Sequence, residues 1–353
     1  MARRGNFLAA EPHFVDHLAP IWHGLPRSQR GVFWVRTDIA AKAAAAHRIP
    51  VRQWPGHVAP GTVIICSAFG DLNQANNSGA ITVLMEHGAG QTYQSSHASY
   101  AGGSHAARDN VSLFLVPGQR PAEKLRAKHP RTPVVEIGCP KLDKRITKPR
   151  PERQTDKPTV VFSFHWDCKV VPETTSAFPF FRRGIELVAR RNDYRVLGHA
   201  HPRAMKSLRP WYQTRGIEVV EHFDSVLEEA DVYVCDNSST IFEASAVGIP
   251  VVLMNSPRYR REVEHGVRFW EAADIGPNAN RAAELPRRIA EALNPSPEQQ
   301  AATERAVNLI YSVRDGSSTI RAVEAIQTHV LSGGRRATYT DDGGHDPQVR
   351  ARN

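Results

Sequence analysis

No apolar run in this sequence approaches the ~20 residues that would cross a bilayer. The N-terminus, MARRGNFLAAEPHF, carries two arginines, but its apolar stretch is too short for a signal peptide. A cytoplasmic protein without a transmembrane segment is therefore expected. Cysteine is scarce: Cys66, Cys139, Cys168 and Cys235 show no C-x-x-C spacing. Cys66 and Cys235 fall inside expected strands and read as small buried hydrophobes in a reducing compartment, so neither a disulfide framework nor a zinc site is expected. The sequence lacks G-x-x-x-x-G-K-[ST] and a well-placed G-x-G-x-x-G, which argues against a P-loop NTPase and a dinucleotide dehydrogenase. No short, dense basic patch marks a nucleic-acid arm. The Asp341-Asp342 pair lies in a Gly-rich tail, a poor setting for a metal, and we expect neither a protein-held metal nor a cofactor.

What the sequence does have is length, ordinary globular composition and excess positive charge. Its 353 residues exceed what one core usually serves, so two domains are expected. Lys plus Arg number 45 against 36 Asp plus Glu, a net charge of +9. This balance favours anionic partners, among them a nucleotide, a phosphate polymer, nucleic acid or an anionic membrane surface, without choosing among them.

Short β-prone runs alternate with helix-length spacers. Residues 1–30 read as irregular, with Pro and aromatic punctuation. Strands are expected at Val32–Val35, Thr62–Cys66, Ile81–Met85, Val111–Val116 and Val134–Ile137, with a helix from Asp38 to Arg48 capped by Thr37. The stretch KRITKPRPERQTDKP is charged, Pro-rich and nearly free of apolar residues, as linkers are. Beyond it the rhythm resumes at Thr159–Phe162, Tyr194–Leu197, Ile217–Val220, Val232–Cys235 and Val251–Met254, and helices are expected at 282–293, 298–314 and 319–331. The reading is α/β: a Rossmann-like acceptor domain over 1–146, a linker at 147–157, a Rossmann-like nucleotide-donor domain over 158–331, and a disordered tail at 332–353. Two such sheets would face each other across a cleft, with ligands beyond the carboxyl ends of the strands.

The chemistry-bearing residues follow strands directly. Glu86-His87-Gly88 ends the third expected strand, and an imidazole there suits a general base on an incoming hydroxyl. Glu86 either orients that imidazole or simply points to solvent, and Gly88 admits close approach to the backbone. A histidine merely hydrogen-bonded in a loop is the bland alternative. Gln91 opens a Ser-, His-, Tyr- and Gly-rich segment expected on the acceptor side. His201-Pro202-Arg203 forms a basic corner: Arg203 suits a bidentate grip on phosphate, and His201 a hydrogen bond or an acid. A proline-held turn with a solvated arginine is the alternative there. Asp236, Ser238, Ser239 and Thr240 form a polar turn entering a helix, which is either a cap or a phosphate cradle. Glu243, one turn on, suits a ribose hydroxyl or simply a helix N-terminus.

Four separated segments together resemble the CDP-glycerol glycerophosphotransferases of teichoic acid synthesis, a branch of the GT-B glycosyltransferase-like enzymes. They are His87-Gly88, Gly138-Cys139-Pro140-Lys141-Leu142-Asp143, His201-Pro202, and Asp236-Asn237-Ser238-Ser239 followed by Phe242-Glu243. Their order and strand-end placement carry the resemblance, which spans roughly residues 80 to 255. It implies a GT-B fold and a metal-independent transfer of glycerol phosphate from CDP-glycerol, or another nucleotide-diphosphate donor, to an acceptor hydroxyl with release of CMP. His87 would be the base; His201, Arg203 and the Ser238–Thr240 turn would hold the diphosphate, and Glu243 the cytidine ribose. The acceptor would be a polyol phosphate, a glycan or a lipid-linked hydroxyl, reached from the cytoplasm or its inner membrane face. Asn237 stands where the family has Tyr, and HGAG replaces an HGTP-like continuation. The rival readings are a GT-B glycosyltransferase using a nucleotide sugar, a nucleotide-sugar epimerase on the same plan, and, from another class, a nucleic-acid-binding or -modifying protein.

Overall fold

The computed structural model of the chain describes residues 3–88, 108–148, 157–167, 175–260 and 272–332. Gln91, Cys168, Asp341-Asp342, most of the linker and the tail lie outside them.

The N-terminal sheet has seven parallel strands: β1 (Gly5–Ala9), β2 (Arg30–Val35), β3 (Val51–Gln53), β4 (Val63–Cys66), β5 (Ile81–Met85), β6 (Val111–Val116) and β7 (Val134–Glu136). They lie in the order β3-β2-β1-β4-β5-β6-β7. The central strands β4, β5 and β6 are dominated by apolar residues because both faces are covered. Phe7, Ile65, Val83 and Leu115 enter one core, and Leu8, Ile64, Cys66, Leu84 and Phe114 the other. The crossovers are α1 (Pro12–Gly24), α2 (Asp38–Ala46), α3 (Phe69–Asn76) and α4 (Gln119–Lys128), and α5 (Asp143–Thr147) leads out of the domain.

The C-terminal sheet has six parallel strands: β8 (Thr159–Phe164), β9 (Arg195–Ala200), β10 (Glu218–Val219), β11 (Val232–Cys235), β12 (Val251–Met254) and β13 (Asn278–Ala279), in the order β10-β9-β8-β11-β12-β13. Around it stand α6 (Phe178–Arg191), α7 (Pro202–Gln213), α8 (Phe223–Glu229), α9 (Thr240–Ala246), α10 (Leu285–Leu293) and α11 (Pro297–Ile310). In each sheet the strand order reverses once, at β1/β4 and at β8/β11, and such a switch point opens a crevice at the carboxyl edge.

Two features differ from the sequence reading. Residues 1–30 are not irregular. They form β1, at the centre of the first sheet, and α1, whose Val15, Leu18, Ala19, Ile21 and Trp22 pack inward. Pro20 lies inside that helix and disguised it, since proline removes one backbone donor without forbidding the helix when packing holds both sides. The second difference concerns the last helix, α12 (Ser318–Ile326), and the turn of π-helix that follows it. The sequence reading counted them with the C-terminal domain, yet Ala322, Val323, Ile326, Val330 and Leu331 belong to the core under the first sheet. In exchange, Cys139 and Leu142 enter the core of the second domain. An amphipathic pattern states that a helix needs an apolar partner, not which domain supplies it.

Gly138–Asp143 is where this exchange is fastened. Gly138 has φ of +84° and abuts the Val313 carbonyl and Ser318, where a Cβ would collide. Asp143 accepts from the backbone N–H groups of Ser318 at 3.0 Å and Thr319 at 2.7 Å, capping α12 from a distant part of the chain.

Candidate active site

The carboxyl ends of both sheets meet, and their side chains face each other. Gly88, just past β5, has φ of +70°, and a Cβ built on it would lie 2.9 Å from Cβ of Ser239, at the start of α9. The two domains therefore touch at this point, with backbone against side chain. Gly88→Ala is expected to cost about 1–2 kcal/mol for the left-handed backbone alone, with a further loss from prying the domains apart. Denaturant unfolding reads the change, and a loss no larger than the backbone cost would mean that the domains do not close on this contact.

Beside Gly88, His87 is fixed by a short hydrogen bond between its Nδ1 and the Ser67 carbonyl. A carbonyl only accepts, so Nδ1 carries the proton and Nε2 keeps its lone pair. Burial lowers the His87 pKa to about 4; the Ser67 bond opposes the shift, and Lys141 and Arg108 add to it. His201 is held in the opposite tautomer. As N-cap of α7 its Nδ1 accepts from the Arg203 N–H at 3.2 Å, so Nε2–H is the donor it presents. Burial, then His165, Arg203, His199 and His87, bring its pKa down to about 3. At neutral pH the two rings are uncharged, one presenting a base and the other a donor.

Three further histidines complete the cluster, and the sequence reading missed them. His13 and His17 stand one turn apart on α1, and His165 follows β8. The His13 ring centroid lies 5.8 Å from that of His87 and 5.6 Å from that of His201, and the His165 ring is 5.6 Å from His201. Both missed segments leave switch-point strands, β1 and β8, where the fold itself predicts ligand contacts. The E-P-H-x-x-x-H spacing was legible, but only to a reading that had already placed a helix there. Among the described residues no group of three or more His, Cys, Asp or Glu is arranged to hold a metal ion.

The remaining expected residues divide. Arg203 stands at the cleft, donating to Glu11 at 3.0 Å across the domains, with its guanidinium carbon 4.8 Å from the centre of the Trp166 ring. Ser238 Oγ lies 2.8 Å from Thr240 Oγ1, which in turn lies 2.8 Å from the Tyr233 hydroxyl, so these side chains order the turn. Asp236 does not face the cleft. It is fully buried, and its carboxylate accepts from the N–H groups of His165 and Ala177, each at 2.8 Å. Its role is to hold the β8–α6 connection in place. Glu243 is likewise occupied: its side chain, 2% exposed, forms a close ion pair with Lys141, and its other oxygen lies 3.7 Å from His17 Nε2. A ribose reaches this carboxylate only if that pair parts. Burial alone would lower the Lys141 pKa, but Glu243 raises it above the ordinary value. The motif lysine thus bridges the N-terminal domain to α9. Glu86 has its pKa raised by burial to about 7, with Arg108 opposing, and its Oε1 has no hydrogen-bond partner among the described residues. His199 lies inside β9 rather than beyond it, 2.8 Å from Ser163 Oγ, and is a core histidine.

No helix among the described residues is long and apolar enough to cross a membrane. No curated protein matches the chain. Solved structures match it along nearly its whole length. S. aureus MnaA with UDP superposes with a TM-score of 0.64 at 13% identity, covering 93% of this chain and 96% of that one. The UDP-GlcNAc 2-epimerase from Neisseria meningitidis bound to UDP-GlcNAc gives 0.59 at 12%, covering 92% and 99%. The wall teichoic acid polymerase TagF gives 0.60 at 12%, covering 92% and 88%. At such identities these show the fold, which is GT-B-type. The sequence model of the family described as CDP-glycerol:poly(glycerophosphate) glycerophosphotransferase matches residues 177–328, a stretch that contains His201-Pro202 and the Asp236–Glu243 segment. The resemblance read from the strand-end motifs is thus borne out over residues 177–328, where the chain is similar to the CDP-glycerol:poly(glycerophosphate) glycerophosphotransferase family, on a GT-B-type frame.

Proposed function

We propose that this protein is a transferase with a nucleotide-activated donor, and that it moves glycerol phosphate from CDP-glycerol to an acceptor hydroxyl, releasing CMP. The observation that carries the reading is the opposed tautomers of His87 and His201 across the domain contact at Gly88 and Ser239. The family match over residues 177–328 supports the donor class.

In this reading the acceptor hydroxyl surrenders its proton to Nε2 of His87 as its oxygen attacks the β-phosphorus. The new O–P bond forms while the bond to the CMP oxygen breaks, and CMP leaves with the electron pair. His201 Nε2–H donates to the diphosphate. Arg203 exchanges Glu11 for a phosphate oxygen, a stronger and better-matched partner for its planar fork. Ser238, Ser239 and Thr240 offer hydroxyl and backbone donors to the same group. Such preset donors act on charge as it develops, with little reorganisation. Glu86 and Gly88 border the acceptor side, where a polyol phosphate, a glycan or a lipid-linked hydroxyl would enter from the cytoplasmic face. No protein-held metal is invoked.

A thermal-shift screen tests the donor. CDP-glycerol or CMP at a hundred times its dissociation constant is expected to stabilise the fold by about 2.7 kcal/mol, and UDP- or GDP-sugars at equal concentration by far less. Stronger stabilisation by a UDP- or GDP-sugar would sink the CDP-glycerol reading and favour a glycosyltransferase.

A further inference from the structure

The histidine that lies between the proposed base and the proposed diphosphate donor has no part in the mechanism so far. His13 sits in the first turn of α1, directly beyond the central strand β1, at the switch point of the first sheet. Its ring is within 6 Å, centroid to centroid, of both His87 and His201, at 5.8 and 5.6 Å. Its Nδ1 is buried and has no hydrogen-bond partner among the described residues. A buried polar nitrogen without a partner is costly in a finished structure and calls for an explanation. The helix that carries it adds to the case. α1 runs for 13 residues, with no acidic residue in its first turn and no side-chain cap at Glu11. The carboxylate of Glu11 is turned to Arg203 instead. The positive end of the helix dipole at His13 is therefore not answered by its own residues.

The charged and titratable groups that act on His13 are all basic. Burial first, and then His87, His201, Lys141 and Arg203, hold its pKa well below the usual histidine value. A neutral ring in such surroundings suits an anion, which gains a donor from the ring and the attraction of the Arg203 and Lys141 cations.

We propose that His13 is a second phosphate-contacting histidine beside His201, donating from Nδ1 to a non-bridging oxygen of the donor's diphosphate, between His87 and His201. This assignment rests on the diphosphate-donor reading above and adds to it the residue at the transferred phosphorus. The ligand class is a nucleoside diphosphate ester, gripped by its phosphates.

Isothermal titration of the full chain with CDP, UDP, GDP and inorganic pyrophosphate tests it, using wild type and three variants. His13→Leu removes both nitrogens. His13→Asn puts an amide nitrogen where Nδ1 stands, and His13→Gln puts one where Nε2 stands. His13→Leu and His13→Gln are expected to weaken the tightest-binding diphosphate by about tenfold or more, while His13→Asn stays within about threefold of wild type. Melting temperatures show that the fold is kept, and if His13→Leu does not fold, the Asn-against-Gln comparison decides. Equal affinity of His13→Gln and wild type would overturn this inference and leave the donor reading standing. Tighter binding of UDP or GDP than of CDP would sink the CDP-glycerol reading, and His13 would then be judged on that ligand. Failure of wild type to bind any diphosphate would overturn both.

Discussion

His87→Asn is expected to slow transfer by about 10²–10⁴-fold while changing donor affinity little. Asparagine keeps a donor where Nδ1 meets the Ser67 carbonyl but offers no basic nitrogen where Nε2 stood. If His87 takes the acceptor proton, the loss falls on kcat, since binding contributed equally to ground and transition states would surface in KM. A variant that turns over donor and acceptor at the wild-type rate would remove His87 from the chemistry. The pH profile adds a second check. The His87 pKa is lowered by burial to about 4, so the base stays unprotonated across the physiological range. kcat/KM should then stay level as pH falls from 8 towards 5, whereas an unburied histidine base, with a pKa of about 6.5, would lose most of its activity over the same interval.

Stability must be followed alongside, because the same burial makes the fold acid-sensitive. The unfolded chain takes up protons on its histidines below about pH 6.5. The folded chain does not do so until pH nears the lowered values, about 4 for His87 and about 3 for His199 and His201. The stabilising contribution is thus whole above pH 6.5 and is lost as pH falls from there towards 3. A fall in kcat/KM that tracks the melting temperature reports unfolding rather than titration of the base.

How much of this was written in the sequence depends on what each signal requires. β5 and β6 were legible to the residue, since Ile81–Met85 and Val111–Val116 are apolar but for Thr82 and Ser112, as strands buried on both faces tend to be. His87, His201 and Ser239 were singled out because each follows an expected strand. His13 and His165 were not. β1 is a five-residue strand read as loop, and with α1 unread, His13 had no strand end to belong to. The β8 strand was seen, but it continues through Phe164, two residues beyond the expected end, and this carries His165 to its tip. The partners of Asp236 and Glu243 were not legible for another reason. The residue type and position of the two carboxylates suit a ligand, and only the three-dimensional packing shows that backbone N–H groups and Lys141 already occupy them. A carboxylate's partner is a tertiary fact, and spacing along the chain does not supply it.

Lys141 offers the sharpest separation between those two uses of a carboxylate. Lys141→Met is expected to destabilise the protein by about 3–5 kcal/mol, because it strands Glu243, 2% exposed, with only a neutral His17 nearby. Burial, with Lys141 and His87 adding to it, lowers the His17 pKa well below its usual value, so that ring does not replace the lost cation. Glu243→Gln alone strands the lysine in the same way, whereas the double variant leaves no unpaired buried charge and should recover much of either loss. The coupling energy of the cycle measures the pair. Because Lys141 belongs to the Gly138–Asp143 joint and Glu243 to α9, the pair also fastens one domain to the other. A loss below about 1 kcal/mol in Lys141→Met, the range of exposed pairs, would mean that water reaches this contact and the domains part readily there. The same variants decide the ribose question. If Glu243→Gln and the double variant bind CDP as tightly as Lys141→Met does, the carboxylate is structural. If only the variants lacking it lose the nucleoside while still binding pyrophosphate, the ion pair opens on donor binding and Glu243 takes the ribose after all.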